Sequence, residues 1–254
     1  MLQPQAWFIG HGSPMNALES NSYTQAWANL TKTIKKPKTI IMVSAHWTTK
    51  GTFVSGNTKL KTIHDFGGFP DALTQYQYDV AGNPELAHKI EKVTNNQVQI
   101  NNSWGIDHGA WSVLTQMYPD ADVAVIQLSI DVNKTYQQHY DLAKLLADKL
   151  SSEDVLFITS GNVVHNLAKL DWRNSGSIYP WASLFNDITV QNILARDDMA
   201  ILHKQDNFSL AHPYDDHYIP LVYFAGFASK LAHREVFNNK IDMAALAMTC
   251  FSAI

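Results

Sequence analysis

The residues of this sequence with the most evident chemical potential are its histidines. The 254-residue chain contains eleven His but only three Arg, which are Arg173, Arg196 and Arg234. Imidazole is the commonest protein ligand for transition metals and titrates near neutral pH. A chain rich in histidine can therefore build a metal site or an acid–base site, and the positions of the histidines in the fold decide between them.

Three of these histidines each follow an apolar run closely: His11 follows Ala6–Ile9, His46 follows Thr39–Val43, and His165 follows Val155–Thr159. Each run is nearly continuous in Val, Ile, Phe or Met, which is typical of a strand buried on both faces. In open α/β sheets, ligands bind just beyond the carboxyl ends of the strands. We therefore expect the three imidazoles along one edge of one sheet. A fourth run, Val123–Ile130, leads to Asp131 instead.

Each of these segments also has a purely structural interpretation. Gly12-Ser13-Pro14 fits an ordinary turn in which Ser13 caps a helix that begins with Pro14. His46 could be a buried histidine that is hydrogen-bonded to the backbone. Three histidines at one edge of a sheet nevertheless favour a shared site, because distant chain segments converge there.

Two further polar segments carry histidines. Residues 101–111 form a glycine-broken loop that contains Asp107 and His108, and His217 precedes the apolar helix predicted at Ile219–Phe227. An Asp-rich helix start is the structural alternative for the second segment. We expect surface or packing roles for the remaining histidines of helical or connecting stretches: His88, His139, His203 and His233.

One combination of these residues could form a metal site. His11, His46 and His217, from three separated segments, could hold one divalent ion and leave positions open for water, substrate or dioxygen. No local HExxH-type motif supports this set, so the prediction depends on the three segments meeting at the sheet edge.

The elements that must position these residues alternate along the chain. Helical periodicity is clear at 135–150 and 181–196, and Pro84 opens a shorter helix. Weaker alternating stretches lie at Thr52–Ser55 and Gln75–Val80. Strands that alternate with helices predict an α/β fold with a central, mostly parallel sheet flanked by helices. We expect a single catalytic domain over residues 1–254.

Composition excludes several classes of protein. Hydrophobic residues make up 46% of the chain and charged residues 17%, and the formal net charge is −4, so a nucleic-acid-binding protein is not expected. The sequence contains neither an apolar run of membrane-spanning length nor a signal peptide, so no membrane partner is expected. Cys250, the single cysteine, can form neither an internal disulfide nor a Cys-based metal site, and a cytoplasmic location follows as the expectation.

The motifs that carry these residues resemble those of a known family. They occur in the family's order: His11-Gly12-Ser13-Pro14, Ser44-Ala45-His46-Trp47, His64-Asp65-Phe66-Gly67-Gly68-Phe69-Pro70, Asp107-His108-Gly109-Ala110-Trp111, Ser160-Gly161-Asn162 with His165-Asn166, and Asp216-His217 with Pro220-Leu221. Together they look like the signature of the class III extradiol ring-cleavage dioxygenases, in the DOPA 4,5-dioxygenase branch. The resemblance spans about residues 8–225.

The resemblance implies a role for each matching residue. His11, His46 and His217 match the metal ligands, and the last replaces a glutamate of protocatechuate-cleaving relatives. His165 matches a histidine that acts as acid and base or as a fourth metal ligand. His108 matches a histidine beside the substrate that would stabilise a developing anionic oxygen. The remaining matches are implied to bind substrate: His64, Phe66 with its loop to Pro70, Trp47 and Asp107.

The resemblance also implies the cofactor. One divalent ion is expected, Fe²⁺ or Zn²⁺, and zinc could be the ion found on purification without being the working ion. The usual ferrous oxygenase site has two histidines and one carboxylate. Asp215 or Asp216 could supply that carboxylate, but we predict His217 as the third ligand.

The predicted function is therefore a metal-dependent extradiol dioxygenase that cleaves a catechol, DOPA-like, with O₂. A zinc-dependent hydrolase and a nonenzymatic metal-binding interaction protein on the same scaffold are the alternatives. The scarcity of Arg offers no evident partner for a substrate carboxylate. A homo-oligomer is compatible with the sequence.

Overall fold

The structure is a computed structural model that describes residues 5–254. Twelve strands lie within these residues: β1 (Ala6–Gly10), β2 (Thr39–Thr49), β3 (Thr52–Ser55), β4 (Lys59–Leu60), β5 (Val80–Ala81), β6 (Val98–Asn101), β7 (Ala124–Asp131), β8 (Val155–Gly161), β9 (Arg234–Phe237), β10 (Ile241–Asp242), β11 (Leu246–Ala247) and β12 (Cys250–Ala253).

Eight of these strands form one sheet in the order β6-β3-β7-β2-β8-β1-β12-β9. The four central strands β7, β2, β8 and β1 are parallel, whereas β12 is antiparallel to both β1 and β9, and β3 is antiparallel to β7. This confirms the predicted central, mostly parallel sheet. The antiparallel C-terminal strands were not predicted, because each is only four residues long and lacks a continuous apolar run.

Nine α-helices accompany the sheet: α1 (Ser22–Thr31), α2 (Asp71–Thr74), α3 (Pro84–Val93), α4 (His108–Met117), α5 (Tyr136–Lys149), α6 (Pro180–Ala195), α7 (Asp198–Leu202), α8 (Phe208–Ala211) and α9 (Ile219–Phe227), all counted within residues 5–254. Short 3₁₀ turns occur at Pro14–Ala17, Leu167–Lys169 and Ala228–Lys230.

The sheet separates two hydrophobic cores because successive strand side chains point to opposite faces. In β1, Phe8 packs into the core formed with α5 and α9, and Trp7 packs into the core formed with α4. The central strands are therefore buried on both sides, which explains their nearly continuous apolar sequences. Helices flank both faces, as predicted.

Two local expectations differ from the structure. The run Thr39–Val43 continues as a strand to Thr49, with a register irregularity against β7 between Val43 and Thr48. Ser44–Trp47 therefore belongs to the strand, not to a following loop. The alternating stretch Gln75–Val80 is mostly not a strand, because Tyr78 N–H donates to Thr62 Oγ1 (2.7 Å) instead of to a neighbouring strand.

The predicted Ser13 cap is present, with the 3₁₀ turn Pro14–Ala17 in place of an α-helix. No helix within residues 5–254 is long and apolar enough to cross a membrane. The predicted extent of the catalytic domain, 1–254, stays a prediction, and its first four residues lie outside the described part of the chain.

Candidate metal centre

Three histidines from three distant segments meet at the carboxyl edge of the central strands. His11 lies just after β1, His46 lies within β2, and His217 lies two residues before α9. One ring nitrogen from each lies within 4.8 Å of the others, and the Nε2 atoms of His11 and His46 are 3.2 Å apart. We call His11, His46 and His217 the three-histidine cluster. It is the set that the sequence analysis predicted to share a metal.

The orientation of His11 is fixed by a chain of two hydrogen bonds. Ser160 Oγ, at the end of β8, donates to the carbonyl oxygen of Gly109 (2.6 Å). Its hydroxyl proton is therefore in use, so Ser160 Oγ accepts from Nδ1–H of His11 (2.8 Å). This assigns the proton of His11 to Nδ1 and leaves the Nε2 lone pair directed at the cluster, an arrangement typical of a metal-binding histidine.

One carboxylate lies beside both His46 and a neighbouring histidine. Asp65 Oδ2 is 3.4 Å from Nδ1 of His46, and Asp65 Oδ1 is 2.9 Å from Nδ1 of His108. The same Oδ1 accepts the backbone N–H of His108 (3.0 Å). Burial alone raises the pKa of Asp65, but its contacts with His108 hold that pKa below the usual value. The charged carboxylate thus orients both rings.

His217 is held by its backbone, and a neighbouring carboxylate lies close to its ring without a hydrogen bond to it. Its carbonyl oxygen accepts the N–H of Asn162 (3.0 Å), just after β8, and Asp216 Oδ1 lies 3.1 Å from its Nδ1. A Cβ at Gly161 would lie only 2.3 Å from the carbonyl oxygen of His217. Only glycine allows this approach, which brings α9 against the end of β8.

A second glycine permits an equally close approach at His46. A Cβ at Gly109, in the first turn of α4, would lie 2.5 Å from Ser44 Oγ and 2.7 Å from Cδ2 of His46. Helix α4 begins there because Asp107 caps it by accepting the N–H of Ala110 (3.2 Å). The backbone of α4 therefore sets the position of the His46 ring.

The three-histidine cluster fits a divalent cation. Both ring nitrogens of His217 are buried without a hydrogen-bond partner, which is costly unless something binds there. Nitrogen ligands about 2.0–2.1 Å from one ion are about 2.9–3.4 Å apart, and the His11–His46 separation of 3.2 Å falls in this range. Among the described residues, no carboxylate belongs to this group of three.

Neither acidic alternative for the third ligand belongs to the group whose ligand atoms converge. Asp215 Oδ2 accepts from the Tyr136 hydroxyl (2.7 Å) and lies 2.9 Å from Lys204 Nζ. Asp216 Oδ1 accepts the backbone N–H of His217 (2.9 Å). The geometry therefore favours His217 over either aspartate.

His165 lies at the cluster without belonging to it. Its ring stacks on that of His217, with centroids 3.5 Å apart and planes inclined by 4°. It lines the adjoining cavity, but it is not part of the group whose ligand atoms converge. Burial lowers the pKa of His165 to about 4, so the ring is neutral near pH 7. A neutral imidazole at the cavity surface can accept a proton.

A cavity of about 690 Å³ opens directly over the cluster. Its size suits a small organic ligand. The polar part of its wall includes His11, His46, His108, His165 and His217. The rest is mostly apolar or aromatic and includes Phe66, Phe69, Leu167, Leu170, Trp172, Tyr214, Met243 and Leu246. The site thus combines a polar floor with apolar walls, which suits a small, partly apolar ligand.

Three residues predicted to bind substrate do not line this cavity, and their part in substrate binding stays a prediction. Trp47 is buried and stacks on Trp104 at 5.2 Å, because it follows His46 in β2 and points to the opposite face. Asp107 is buried and accepts from Ser44 Oγ (2.6 Å). His64 Nε2 donates to the carbonyl oxygen of Tyr76 (2.9 Å). Of the four residues predicted to bind substrate, Phe66 lines the cavity.

Several residues of the site were not singled out from the sequence. Asp65 and Ser160 orient His46, His108 and His11, as described above. Asp65 had a usable signal, since it lies between two residues already predicted to border the pocket. Trp172 and Tyr214, both in the cavity wall, lie in polar connecting segments with no pattern that distinguishes them.

The buried imidazoles make the stability of the metal-free protein depend on pH. Burial and the neighbouring imidazoles lower the pKa of His11 and His217 well below 6.5, and lower that of His46 to about 3. The same residues in an unfolded chain bind protons near pH 6.5, so the unfolded state takes up more protons as pH falls. The free energy of unfolding therefore decreases below that pH.

We expect each such histidine to remove about 1 kcal/mol of stability between pH 7.5 and pH 5.5. Urea denaturation of metal-free protein at these two pH values measures the difference. A metal-loaded sample is the second arm, and its loss should be about the same, because the ligands of the folded protein are already unprotonated at both pH values. Equal stability of the metal-free protein at both pH values would contradict neutral, buried imidazoles.

Comparisons with known proteins identify a matching family and similar proteins. A family model described as the catalytic LigB subunit of aromatic ring-opening dioxygenase matches residues 5–247. A protein of Escherichia coli K12 named 4,5-DOPA dioxygenase extradiol is 42% identical over 228 residues, which cover 87% of this chain and 84% of that protein. A Beta vulgaris protein of the same name is 35% identical over 250 residues, which cover 94% of this chain and 92% of that one.

A solved structure is similar over nearly the whole chain. The crystal structure of an uncharacterized E. coli K12 protein matches with a TM-score of 0.83 at 32% sequence identity. The match covers 98% of this chain and 99% of the other.

Proposed function

The chain belongs to the LigB family of aromatic ring-opening dioxygenases, and from that premise we propose that it is a metal-dependent extradiol dioxygenase that opens the ring of a catechol with O₂. The observation that carries the proposal is the convergence of His11, His46 and His217 beneath the cavity. Membership of the family accounts for the aromatic ring cleavage, whereas the metal requirement and the catechol substrate are our proposals.

His11, His46 and His217 would hold the ion. When bound, a divalent ion supplies Lewis acidity that lowers the pKa of the catechol hydroxyls, and open positions at which the catechol and O₂ are brought together. The three imidazoles are neutral because burial lowers their pKa values, so their lone pairs are available near pH 7. Fe²⁺ is the proposed working ion, and Zn²⁺ suits the same all-nitrogen set.

His165 is the proposed acid–base residue. It lines the cavity and stacks on His217, so it lies beside a catechol seated over the three-histidine cluster. In its neutral form it can accept a hydroxyl proton as the catechol binds and return that proton later in the reaction. Its position outside the converging group supports this role over that of a fourth ligand.

His108 is the proposed stabiliser of negative charge. Its ring centroid is 3.8 Å from that of His46, and it lines the cavity. Its Nδ1 lies 2.9 Å from Asp65 Oδ1, so the orientation of the ring is fixed. A fixed donor beside a developing oxyanion lowers the barrier, because the protein has already oriented it.

The apolar walls hold the ring and exclude water. Phe66 packs edge-on against His108, with centroids 5.3 Å apart. It would therefore form one side of the space that holds the catechol ring. The proposed partners are a small catechol and O₂, in the cytoplasm. A homo-oligomer stays a prediction.

Oxygen uptake tests the proposal directly. Metal-free protein is loaded anaerobically with Fe²⁺, given DOPA or a simple catechol, and exposed to air. We expect consumption of O₂ and a yellow ring-opened product. Equal turnover without oxygen would indicate the hydrolase alternative, and no turnover of a broad catechol panel would indicate a binding protein.

Replacement of Asp65 tests how the histidines are oriented. Asp65→Asn removes the charge that lies beside His46 and His108 while keeping the size of the side chain. Loss of such an outer partner typically costs about 10–100-fold in metal affinity or activity. We expect a loss of this size in Zn²⁺ affinity, measured by competition with a chelating dye.

Asp71→Asn is the matched control, since Asp71 is exposed at the start of α2 and lies outside the cavity wall. Unchanged affinity in Asp65→Asn would show that His46 is oriented without the carboxylate.

A further inference from the structure

Histidines aside, the described cavity wall has an acidic side chain and no basic one. Among residues 5–254, no Lys or Arg contributes to this wall, and its only carboxylate is Asp216. Besides its histidines and any bound ion, the described wall therefore offers a ligand one carboxylate and no Lys or Arg.

One carboxylate oxygen of Asp216, Oδ2, makes no hydrogen bond within the described residues. Its Oδ1 accepts the backbone N–H of His217 (2.9 Å) and lies 3.1 Å from Nδ1 of the same residue. Its side chain is 39% exposed, and no Lys or Arg of the described residues forms an ion pair with it. Oδ2 is therefore free to meet a positive group in the cavity.

Two aromatic side chains of the wall lie at its solvent-exposed end. Trp172 is 76% exposed and Tyr214 is 80% exposed, although both line the cavity. Exposed apolar side chains that line one cavity together, as these do, are typical of a ligand-binding groove. Tyr214 is two residues from Asp216, so an aromatic face and a free carboxylate lie on one short segment.

We propose that this outer part of the cavity is a subsite for an alkylammonium group, so that the enzyme favours catechols whose ring substituent ends in a positive charge over those that end in a carboxylate. Aromatic faces attract such cations, and Asp216 supplies the opposite charge. The inference rests on the proposed function, because the catechol ring is seated at the three-histidine cluster.

A substituent that ends in a carboxylate is expected to bind weakly in this part of the cavity. It would lose water against Leu167, Leu170 and Trp172 and face Asp216 without a compensating cation. Lys169 and Arg173 are neighbours of these wall residues in sequence, but both are exposed and neither lines the cavity. Binding of a carboxylate would require one of them to reach inward.

Three catechols with the same ring separate these cases. They carry 2-aminoethyl, ethyl or 2-carboxyethyl at the same ring position and so differ mainly in charge. Their dissociation constants are measured without oxygen on the metal-loaded protein, by calorimetry, so that no turnover intervenes. We expect the order ammonium, then ethyl, then carboxylate, with about tenfold or more between the extremes. A carboxylate that binds as tightly as the ammonium overturns the proposal.

Variants identify the residues responsible. Asp216→Asn keeps the acceptor for His217 N–H but removes the charge, and should weaken ammonium binding about fivefold, with ethylcatechol changed less than twofold. Trp172→Leu should also weaken ammonium binding more than ethylcatechol binding. Asp206→Asn, at an exposed position outside the cavity wall, makes the same change in net charge and should have no such effect. Equal losses for all three catechols in Asp216→Asn would mean that Asp216 acts only on His217, and would overturn its role in the subsite.

The two proposals fail in different ways. If ethylcatechol is consumed with O₂ but the charge order is absent, the ammonium subsite is wrong and the dioxygenase stands. If none of the three catechols is bound or consumed, the dioxygenase proposal itself is wrong.

Discussion

His165→Gln is expected to reduce kcat/KM for catechol cleavage about 1,000-fold while the protein keeps its full metal content. A positioned general acid–base group contributes about 100- to 10,000-fold to a rate, and His165 is the neutral imidazole that lines the cavity outside the converging ligand group. Glutamine keeps much of the volume against His217 but cannot shuttle a proton. Oxygen uptake measures the rate, and metal analysis of the same sample measures occupancy.

The two measurements together assign the role of His165. Loss of activity with full occupancy identifies a base, whereas a weakened metal affinity would identify His165 as a fourth ligand. His88→Gln is the matched control, because His88 is an exposed histidine on α3 and should change neither measurement. Near-normal activity in His165→Gln would remove the residue from the mechanism.

His217→Ala is expected to lower metal affinity by more than about 100-fold, since losing a ligand should exceed the 10–100-fold cost of losing an outer partner. The affected ring is buried, and neither of its nitrogens has a hydrogen-bond partner in the protein. Activity should fall to the level of metal-free protein. Competition with a chelating dye gives the affinity, and near-UV circular dichroism checks that the fold is retained.

Two further variants keep this prediction falsifiable. His217→Glu restores a side chain able to bind a divalent ion and should recover most of the affinity lost in His217→Ala. His139→Gln removes a buried imidazole of α5, whose Nδ1 lies 3.1 Å from the Tyr223 hydroxyl, and should leave affinity unchanged. If His217→Ala binds metal like the wild type, the three-histidine cluster is not the metal site.

The sequence was most informative where one strand alone determines a position. The buried runs that become β1 and β8 end one and two residues beyond their predicted ends, so His11 and His165 could be placed at the sheet edge from their spacing. His217 follows no strand, and its predicted role came mainly from the family resemblance. Its position depends on the contact between its carbonyl and Asn162, which no local pattern reveals.

The prediction was weakest where the strand departs from regularity. Because β2 continues through His46, successive side chains alternate, and Trp47 points away from the cavity that His46 lines. The irregularity after Val43 interrupts the pattern that would have shown this. Asp65 was missed for a related reason, since its partners His46 and His108 come from a strand and a helix far apart in sequence.

The close approaches at Gly109 and Gly161 have a practical consequence for engineering. At each position, a single added methyl group would press on a histidine of the cluster from behind, on the ring of His46 or on the carbonyl of His217. Alanine at either position would act as a wedge that shifts one imidazole and leaves every donor atom chemically the same. The pair thus offers a way to change the spacing of the three imidazoles without changing their donor atoms.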